Sequence, residues 1–456
     1  MAERFPARRG VNSCSDGEGD RREELAVRTA AGRRASRAAT AVAAATGLVA
    51  LASVAPHATA GPARPAAPAS GAVVSEWMGT VTAAVDLAGG LTVQEEMVWH
   101  AFVATAMYNA VVGIEGRYEP YRRTERGPRT ASSEAAAAAA AYRLLRVSFP
   151  AAAPRLRKVY AASLARVPDG RAEDEGVAFG ERAADHILAL RAGDGRGAPV
   201  AFPARPAPGV WRPTPPGHRP FADAWLGRLR PMLIGSPDRF RPPPPPRLTS
   251  VRYARDLAEV RAFGAKKGSL RTPWQTETAR YFTDLDIQKA LGDHADRHRF
   301  DIVDTARLYA AANTTQLDAV VTAWDAKLHY GTWRPVTAIR EADRDGNPAT
   351  RADPQWEPLL TTPPHPDYLS GHATSGGALM RTLTGLFGTS RVDLFIPATG
   401  TGVTRHYRHA DDYNRDVVNA RVWGGIHTRF ADTAGNAVGQ RLSAWALERY
   451  FRPVRR

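Results

Sequence analysis

The stretch FDIVDTARLYAAANTTQLDAVVTAWDAKLHYGTWRP, residues 300–335, decides the fold. Its apolar side chains recur at helical spacing, with Leu317, Val320 and Trp324 on one face, so it predicts one long helix that ends near residue 332. A helix of this length needs other helices to cover its apolar face. The stretch therefore indicates a helical bundle.

Two cations near the end of this stretch interrupt its apolar face. Lys327 follows Trp324 by three residues, and Arg334 follows Lys327 by seven, which is nearly two helical turns. The spacing thus predicts both cationic side chains on the face that should be buried. A buried cation costs free energy unless an anion meets it. The structural alternatives are a lysine that extends to the helix end, or buried carboxylates that pair both cations.

Helices are predicted along most of the remaining chain, and no alternating strand pattern of useful length is found. Thr92 and Glu95 form a capping box, and the proline-rich residues 198–248 predict an irregular wrap with polyproline II character. The predicted fold class is all-α, a multi-helix bundle with long proline-rich loops. Further helices are predicted at about 133–148, 154–167, 174–192, 251–263, 273–283, 370–386, 411–427 and 431–450.

The first 60 residues predict an export leader. The pair Arg33-Arg34 precedes an uncharged apolar run over 38–55, and a small-residue cleavage site ends at Ala60. A twin-arginine signal and an ordinary secretory signal fit equally well. A retained membrane anchor fits less well, because the run has few large apolar residues.

This organisation predicts a leader, residues 1–60, and a single α-helical domain, residues 61–456, with a site-bearing core at about 300–450. The domain is expected to be secreted or extracytoplasmic, with no membrane contact once the leader is removed. The only cysteine, Cys14, lies in the leader, so no disulfide or thiolate site is expected. The net charge of +15 is not arranged as a basic stripe with aromatics, so no nucleic-acid partner is expected.

A second motif, Leu369-Ser370-Gly371-His372, opens a predicted helix. Ser370 is a natural N-cap, and the N–H groups of a helix N-terminus attract an anion. His372 beside them can exchange protons near neutral pH. The alternative is an ordinary N-cap followed by a surface histidine.

A third motif contains Arg421 and His427 with the pair Gly424-Gly425 between them. On an ideal helix two residues six apart lie about 120° apart around the axis. They converge only if the helix bends, which the glycine pair permits. The alternative is a surface arginine and a core histidine.

Taken together, the three motifs predict one oxyanion site. Two arginines supply planar forks and a lysine supplies a point charge. One histidine can attack or ligate the central atom while the other shuttles a proton. A tetrahedral oxyanion that passes through a five-coordinate state, phosphate or vanadate, fits this set.

The order and spacing of these motifs resemble the superfamily of vanadium-dependent haloperoxidases and type-2 phosphatidic-acid-phosphatase-like acid phosphatases, in its bacterial haloperoxidase-like branch. The resemblance implies that three cations, Ser370 and the Gly371 N–H hold the equatorial oxygens of vanadate, or of phosphate in the same site. It implies that His427 is the axial ligand to vanadium or the nucleophile toward phosphorus, and that His372 is the acid–base group. The three cations are Lys327, Arg334 and Arg421.

Three positions depart from the family pattern. Leu369 stands where proline is usual, and Ala420 stands where serine is frequent. Asp432 lies five residues after His427, whereas the family usually has an aspartate four residues on, so its part in orienting the imidazole is left open.

The function implied first is a vanadate-dependent haloperoxidase, which oxidises halide with hydrogen peroxide to a hypohalous-type species that halogenates a small organic acceptor. Trp333 beside Arg334 resembles the haloperoxidase form. The first alternative is a soluble exported acid phosphatase that hydrolyses a phosphate ester through a phosphohistidine. The second is a non-catalytic oxyanion-binding protein, against which the retention of both histidines argues. His365 and the other histidines are taken as surface or core residues.

Overall fold

Thirteen α-helices and one two-stranded sheet form the regular structure of the described residues, and this confirms the predicted all-α fold class. The structure, a computed structural model, describes residues 69–89, 91–202 and 205–454, which belong to the unit Ala66–Arg456. The predicted leader lies outside the described residues. The helices are α1 (Ala72–Ala88), α2 (Val93–Glu115), α3 (Ser133–Ser148), α4 (Ala153–Leu164), α5 (Arg171–Leu190), α6 (Val251–Gly264), α7 (Pro273–Tyr281), α8 (Ile287–Arg297), α9 (Ile302–Tyr330), α10 (Pro335–Arg340), α11 (Gly371–Phe387), α12 (Ala410–Trp423) and α13 (Arg429–Leu447).

Helix α9 is the predicted long helix, and it packs against α2, α11 and α13. The Asp301 side chain caps its start by accepting from the Val303 and Asp304 N–H groups, and Gly331 in the left-handed region ends it. Its residues are buried on all sides, polar ones included. Thr314 and Thr315 satisfy their hydroxyls by donating to carbonyls one turn back. A helix buried all round marks the centre of the bundle.

Helix α2 is long and apolar enough to cross a membrane by length and composition alone. However, 89% of its most apolar window is buried inside the protein. Within the described part of the chain it packs as a core helix against α1, α3, α5 and α9.

Two helix pairs approach each other through glycines. A Cβ added to Gly180 of α5 would collide with the Ala136 carbonyl of α3. A Cβ added to Gly377 of α11 would collide with the Asn436 carbonyl of α13, and one on Gly439 with the Thr374 carbonyl. Helix α11 begins at the second motif, and α13 begins directly after the third motif. The close packing of α11 and α13 therefore brings these two helix ends together.

The proline-rich segment has no α-helix among its described residues, as predicted. The buried Asp318 carboxylate on α9 accepts the N–H groups of residues 232–234 at 2.6 to 3.0 Å. The hydroxyls of Tyr330 and Tyr368 donate to the carbonyls of Pro242 and Pro243. These bonds tie the segment to the central helix and to the loop before α11.

A β-hairpin corrects the expectation that the chain lacks an alternating strand. Strand β1 (Arg391–Ala398) pairs antiparallel with β2 (Val403–His409). Val392, Leu394 and Ile396 are fully buried while their neighbours are not, which is the period-two pattern of a strand. The pattern was overlooked because it covers only one short strand, and its partner is mostly polar.

Candidate functional site

The first motif reaches the site through a break in the helix, so the prediction of one helical face for both cations was wrong. Helix α9 ends at Tyr330, and Arg334 is the N-cap of α10 with extended backbone. Pro335 requires this, because the residue before a proline is disfavoured in the helical region. Lys327 and Arg334 are nonetheless both completely buried.

Both cations donate to backbone carbonyls of the loop before α11. Lys327 Nζ lies 2.5 Å from the Pro366 carbonyl oxygen and 3.2 Å from that of Asp367. Arg334 Nε donates to the His365 carbonyl at 2.6 Å, and Nη1 donates to the Ile426 carbonyl. The first motif therefore binds the chain segments that carry the second and third motifs.

The second motif forms the predicted helix start. Ser370, completely buried, is the N-cap of α11, and its side chain accepts from the Ala373 N–H. A Cβ added to Gly371 would lie 2.9 Å from the Trp324 ring, so only glycine lets the helix end approach α9 this closely. His372 follows within the first turn of α11.

Arg421 and His427 of the third motif come together because the helix ends between them. The prediction that this helix, α12, continues to residue 427 was therefore wrong. Arg421 lies in the last turn of α12, which ends at Trp423. Gly425 has a φ of +74°, a left-handed turn that redirects the chain. His427 then stands just before Thr428, the N-cap of α13. The glycine pair thus terminates the helix instead of bending it.

Arg334 and His427 are in direct contact, with Arg334 Nη1 at 3.1 Å from His427 Nε2. Arg421 donates through Nη1 to the Phe282 carbonyl at 2.8 Å. Its Nε is buried without a hydrogen-bond partner. A buried donor without a partner is costly, and an anion in the site would satisfy it.

A cavity of about 880 Å³ is lined in part by Gly371, His372, His427 and His365, whereas Lys327, Arg334, Ser370 and Arg421 lie behind its lining. Exposed residues of the same lining, such as Asp284, connect the cavity with solvent. His372 is surrounded by protein on α11, yet its side chain remains accessible because it faces this cavity. A small ligand can therefore reach both histidines.

The charges of the three predicted cations act on both predicted histidines. The charge on Arg421, followed by burial and the charges on Arg334 and Lys327, lowers the pKa of His372 well below its usual value. Burial, followed by the same three cations, lowers the pKa of His427 well below its usual value. Both imidazoles are therefore neutral at pH 7.

The three cations have no ion-pair partner within 4 Å among the described residues. Burial and the Arg334 charge lower the pKa of Lys327 well below its usual value. The carboxylates of Asp367 and Asp432 act on these cations only through their charge. The alternative in which buried carboxylates pair both cations of the first motif is therefore not what the structure shows.

Asp367 is a site residue that the sequence analysis missed. Its Oδ1 lies 2.5 Å from His427 Nδ1, and its Oδ2 accepts the Thr428 hydroxyl at 2.6 Å. Burial raises its pKa to about 6, against the opposing effect of Arg334. Asp432 lies elsewhere, beside Ser370, and burial raises its pKa well above the usual value. No local sequence pattern identifies Asp367 as a site residue. It lies five residues before His372, and its contact with His427 exists only in the folded chain.

His365 was taken as a surface or core residue by default, and the structure places it in the site instead. Its Nδ1 lies 2.8 Å from Arg334 Nη2, and its ring stacks obliquely on Trp324 with centroids 4.8 Å apart. The run Pro363-Pro364-His365-Pro366 was a usable signal, because prolines hold a short loop in one conformation.

Comparisons with known proteins agree with this architecture. Residues 307–456 match the family model of the second helical-bundle domain of VCPO. The vanadium chloroperoxidase of Curvularia inaequalis is 28% identical over 205 residues, which cover 36% of this chain and 32% of that protein. The chain thus spans about a third of the length of this curated relative.

Solved structures share the fold over most of the chain. A bacterial vanadium-dependent iodoperoxidase aligns with a TM-score of 0.72 at 22% identity, covering 84% of this chain and 98% of that one. A bacterial vanadium-dependent chloroperoxidase in its apo form aligns with a TM-score of 0.62 at 19% identity, covering 78% and 92%. The domain match over residues 307–456 and the shared fold agree with the resemblance of the three motifs to the superfamily of vanadium-dependent haloperoxidases and related acid phosphatases.

Proposed function

We propose that the chain is an exported vanadate-dependent haloperoxidase, which uses hydrogen peroxide to oxidise halide and halogenate a small organic acceptor. The observation that carries this proposal is a set of three buried cations, without ion-pair partners among the described residues, beside two neutral histidines that line a cavity. The names of the relatives support the vanadate chemistry. Residues 1–60 support the export.

The residues present fit a vanadate or phosphate ion. Three positive charges face two buried carboxylates, so the site favours an added anion. Arg421 Nε offers an unused buried donor, and the N-terminus of α11 at Gly371 adds a positive dipole end. His427 offers a neutral imidazole, the form that ligates a metal.

Each predicted residue has a defined task in this function. Lys327, Arg334 and Arg421 would hold the oxygens of the oxyanion, with Ser370 and the Gly371 N–H, and His427 would ligate its central atom. Vanadate, when bound, supplies a Lewis acid that activates peroxide toward attack by halide. His372, neutral and accessible from the cavity, would accept a proton from the incoming peroxide.

The test compares two activities of the full chain. The purified protein is loaded with vanadate or with phosphate, and each form is assayed for peroxide-dependent halogenation of a phenol reporter and for hydrolysis of p-nitrophenyl phosphate. We expect halogenation only in the vanadate form. Ester hydrolysis that vanadate inhibits, without halogenation, would establish the phosphatase instead. Oxyanion binding without either activity would leave a non-catalytic binding protein.

Variants assign the tasks. His427→Ala should abolish oxyanion binding and halogenation together, whereas His372→Ala should retain binding and lose about 100-fold in rate, the usual contribution of a general base. His329→Ala is the matched control, because His329 is exposed at the end of α9. Full activity in His372→Ala would contradict its role.

A further inference from the structure

Asp367 joins the first and third motifs through both its backbone and its side chain. Its carbonyl accepts from Lys327 Nζ at 3.2 Å, and its Oδ1 lies 2.5 Å from His427 Nδ1. The other carboxylate oxygen receives two donors from Thr428, the hydroxyl at 2.6 Å and the N–H at 3.4 Å. The carboxylate is completely buried, so these partners alone determine its orientation.

These contacts decide which nitrogen of His427 carries the proton. A carboxylate only accepts hydrogen bonds, so a short contact between Oδ1 and Nδ1 requires a hydrogen on Nδ1. A neutral imidazole then has its lone pair on Nε2. Arg334 Nη1 lies 3.1 Å from Nε2 and 3.4 Å from Nδ1, about equally far from both nitrogens, so it does not select a tautomer. The contact with Asp367 therefore determines the tautomer.

We propose that Asp367 is a positioning residue of the oxyanion site, which holds His427 in the Nδ1–H tautomer so that Nε2 presents its lone pair to the bound oxyanion. The inference rests on the proposed function, in which His427 would ligate the oxyanion. Asp432, at the position nearest to the family's usual aspartate, does not share this task. It lies beside Ser370 and makes no hydrogen bond to His427 among the contacts of the described residues.

Thr428 makes the proposal unusually testable, because it determines how an asparagine at position 367 must orient. Its N–H can only donate, and its hydroxyl can donate beside it, so together they would select the amide oxygen of Asp367→Asn and turn the amide NH₂ toward His427 Nδ1. Nδ1 would then have to accept, and the proton would move to Nε2, removing the lone pair from the oxyanion. A wrong tautomer of this origin disables other histidine sites strongly.

The predicted order of affinities is therefore unusual. Asp367→Asn should weaken phosphate and vanadate binding by about 100-fold and Asp367→Ala by about 10-fold, within the range for residues that orient a metal-ligating histidine. A merely structural role predicts the reverse order, because the isosteric asparagine preserves packing and alanine leaves a cavity. The double variant Asp367→Asn/Thr428→Val should recover part of the affinity, because it removes one of the two donors that orient the amide.

The experiment uses the full chain at pH 8. Calorimetry gives the affinities for inorganic phosphate and for vanadate, and ¹⁵N-histidine NMR gives the tautomer of His427, whose signals are assigned by their loss in His427→Gln. Asp185→Asn is the matched control, an amide substitution at a carboxylate that pairs with Arg143 and does not line the cavity of the site histidines. We expect Nδ1–H in the wild type and Nε2–H in Asp367→Asn.

Two results overturn the proposal. One is an Nε2–H tautomer in the wild-type protein. The other is binding by Asp367→Asn that equals or exceeds binding by Asp367→Ala. If the alanine variant fails to fold, the tautomers of the wild type and of Asp367→Asn still decide. Failure of the proposed function would give a different result. The wild-type protein would then bind the oxyanion without turnover, or would bind no oxyanion while His427 keeps the Nδ1–H tautomer.

Discussion

The helices α1–α5 and the helices α9–α13 solve the same packing problem with different interiors. In both regions a helix pair closes through glycine, Gly180 against α3 and Gly439 against α11. In α1–α5 the interior is alanine and other apolar side chains, and within these helices His100 is the one buried residue among the described residues of the types Lys, Arg, Asp, Glu and His. The loop between α2 and α3 adds one buried cation, Arg123, which pairs with Glu125. In α9–α13 and the loops between them, the interior contains several buried cations, carboxylates and histidines, among which three cations have no ion-pair partner among the described residues.

The difference separates the residues that stabilise the fold from the residues that serve the proposed oxyanion site. Burial of apolar surface stabilises the first region at no electrostatic cost. In the second region burial of unpaired cations opposes folding, and an oxyanion is what offsets it. Removal of a buried charge should therefore change the free energy of unfolding little but weaken oxyanion binding strongly. Removal of a buried leucine should lower the free energy of unfolding and leave oxyanion binding unchanged.

The largest expected effect is the loss of oxyanion affinity in Lys327→Met. We expect phosphate affinity to fall by at least about 100-fold, the size of a desolvated charged contact, because no other residue replaces this charge. The free energy of unfolding without phosphate should change by less than about 2 kcal/mol, since relief of a buried charge offsets the loss of two hydrogen bonds to carbonyls. Calorimetry and urea unfolding measure the two quantities.

Leu144→Ala in α3 is the counterpart of that variant in the apolar region. Leu144 is fully buried, so its truncation should cost about 2–5 kcal/mol of stability while phosphate affinity stays unchanged. Equal stability losses in the two variants would break the comparison.

The second effect concerns the two glycine contacts. Gly439→Ala and Gly180→Ala each place a methyl group against a backbone carbonyl of the neighbouring helix, so each should destabilise by about 1–3 kcal/mol. Only Gly439→Ala should also weaken phosphate binding, by about 10-fold for a helix shift worth roughly 1.4 kcal/mol, because α11 carries Gly371 and His372 at its start. Binding that falls equally in Gly180→Ala would show that the two regions are not independent.

The sequence predicted helices well wherever the signals were local. Helix α3 has the predicted bounds, and α9 and α11 end within two residues of prediction, because their ends are marked by Asp301, Ser370, Gly331 and Gly388. Helix α8 was missed although Ile287, Leu291 and Ala295 repeat at helical spacing. The hairpin was missed because one short alternating strand had no recognisable partner.

The site was predicted in composition but not in geometry. Arg334 and His427 both lie beyond the helices on which they were placed, and each reaches the centre because a glycine in the left-handed region redirects the chain. Asp367 and His365 escaped prediction because their roles arise from contacts between segments far apart in sequence. Residue spacing on an ideal helix predicts positions within that one helix. Most of the site residues lie instead at helix ends and in the loops between helices.

The smallest effect isolates the buried histidine of the apolar region. His100 is buried on α2, with Nδ1 at 3.2 Å from the Glu96 carbonyl and Nε2 at 3.3 Å from the Thr82 hydroxyl, and burial lowers its pKa to about 4. An unfolded histidine titrates near 6.5. Between these values the unfolded chain binds a proton that the folded chain does not. Its contribution to stability is therefore complete above about pH 6.5 and is lost as the pH falls toward 4, at up to about 1.4 kcal/mol per pH unit.

His100→Gln should remove this one proton from the pH dependence. Glutamine can bond both neighbours but does not titrate, so the curve of unfolding free energy between pH 4 and 7 should become shallower by at most that slope. Phosphate affinity at pH 7.5 should remain that of the wild type, because His100 is neutral there and supplies no charge to the site. His409→Gln, at an exposed histidine, should leave the slope as it is. A slope that persists in His100→Gln would assign the acid sensitivity to other buried histidines, either those around the oxyanion site or His294, whose pKa burial also lowers to about 4.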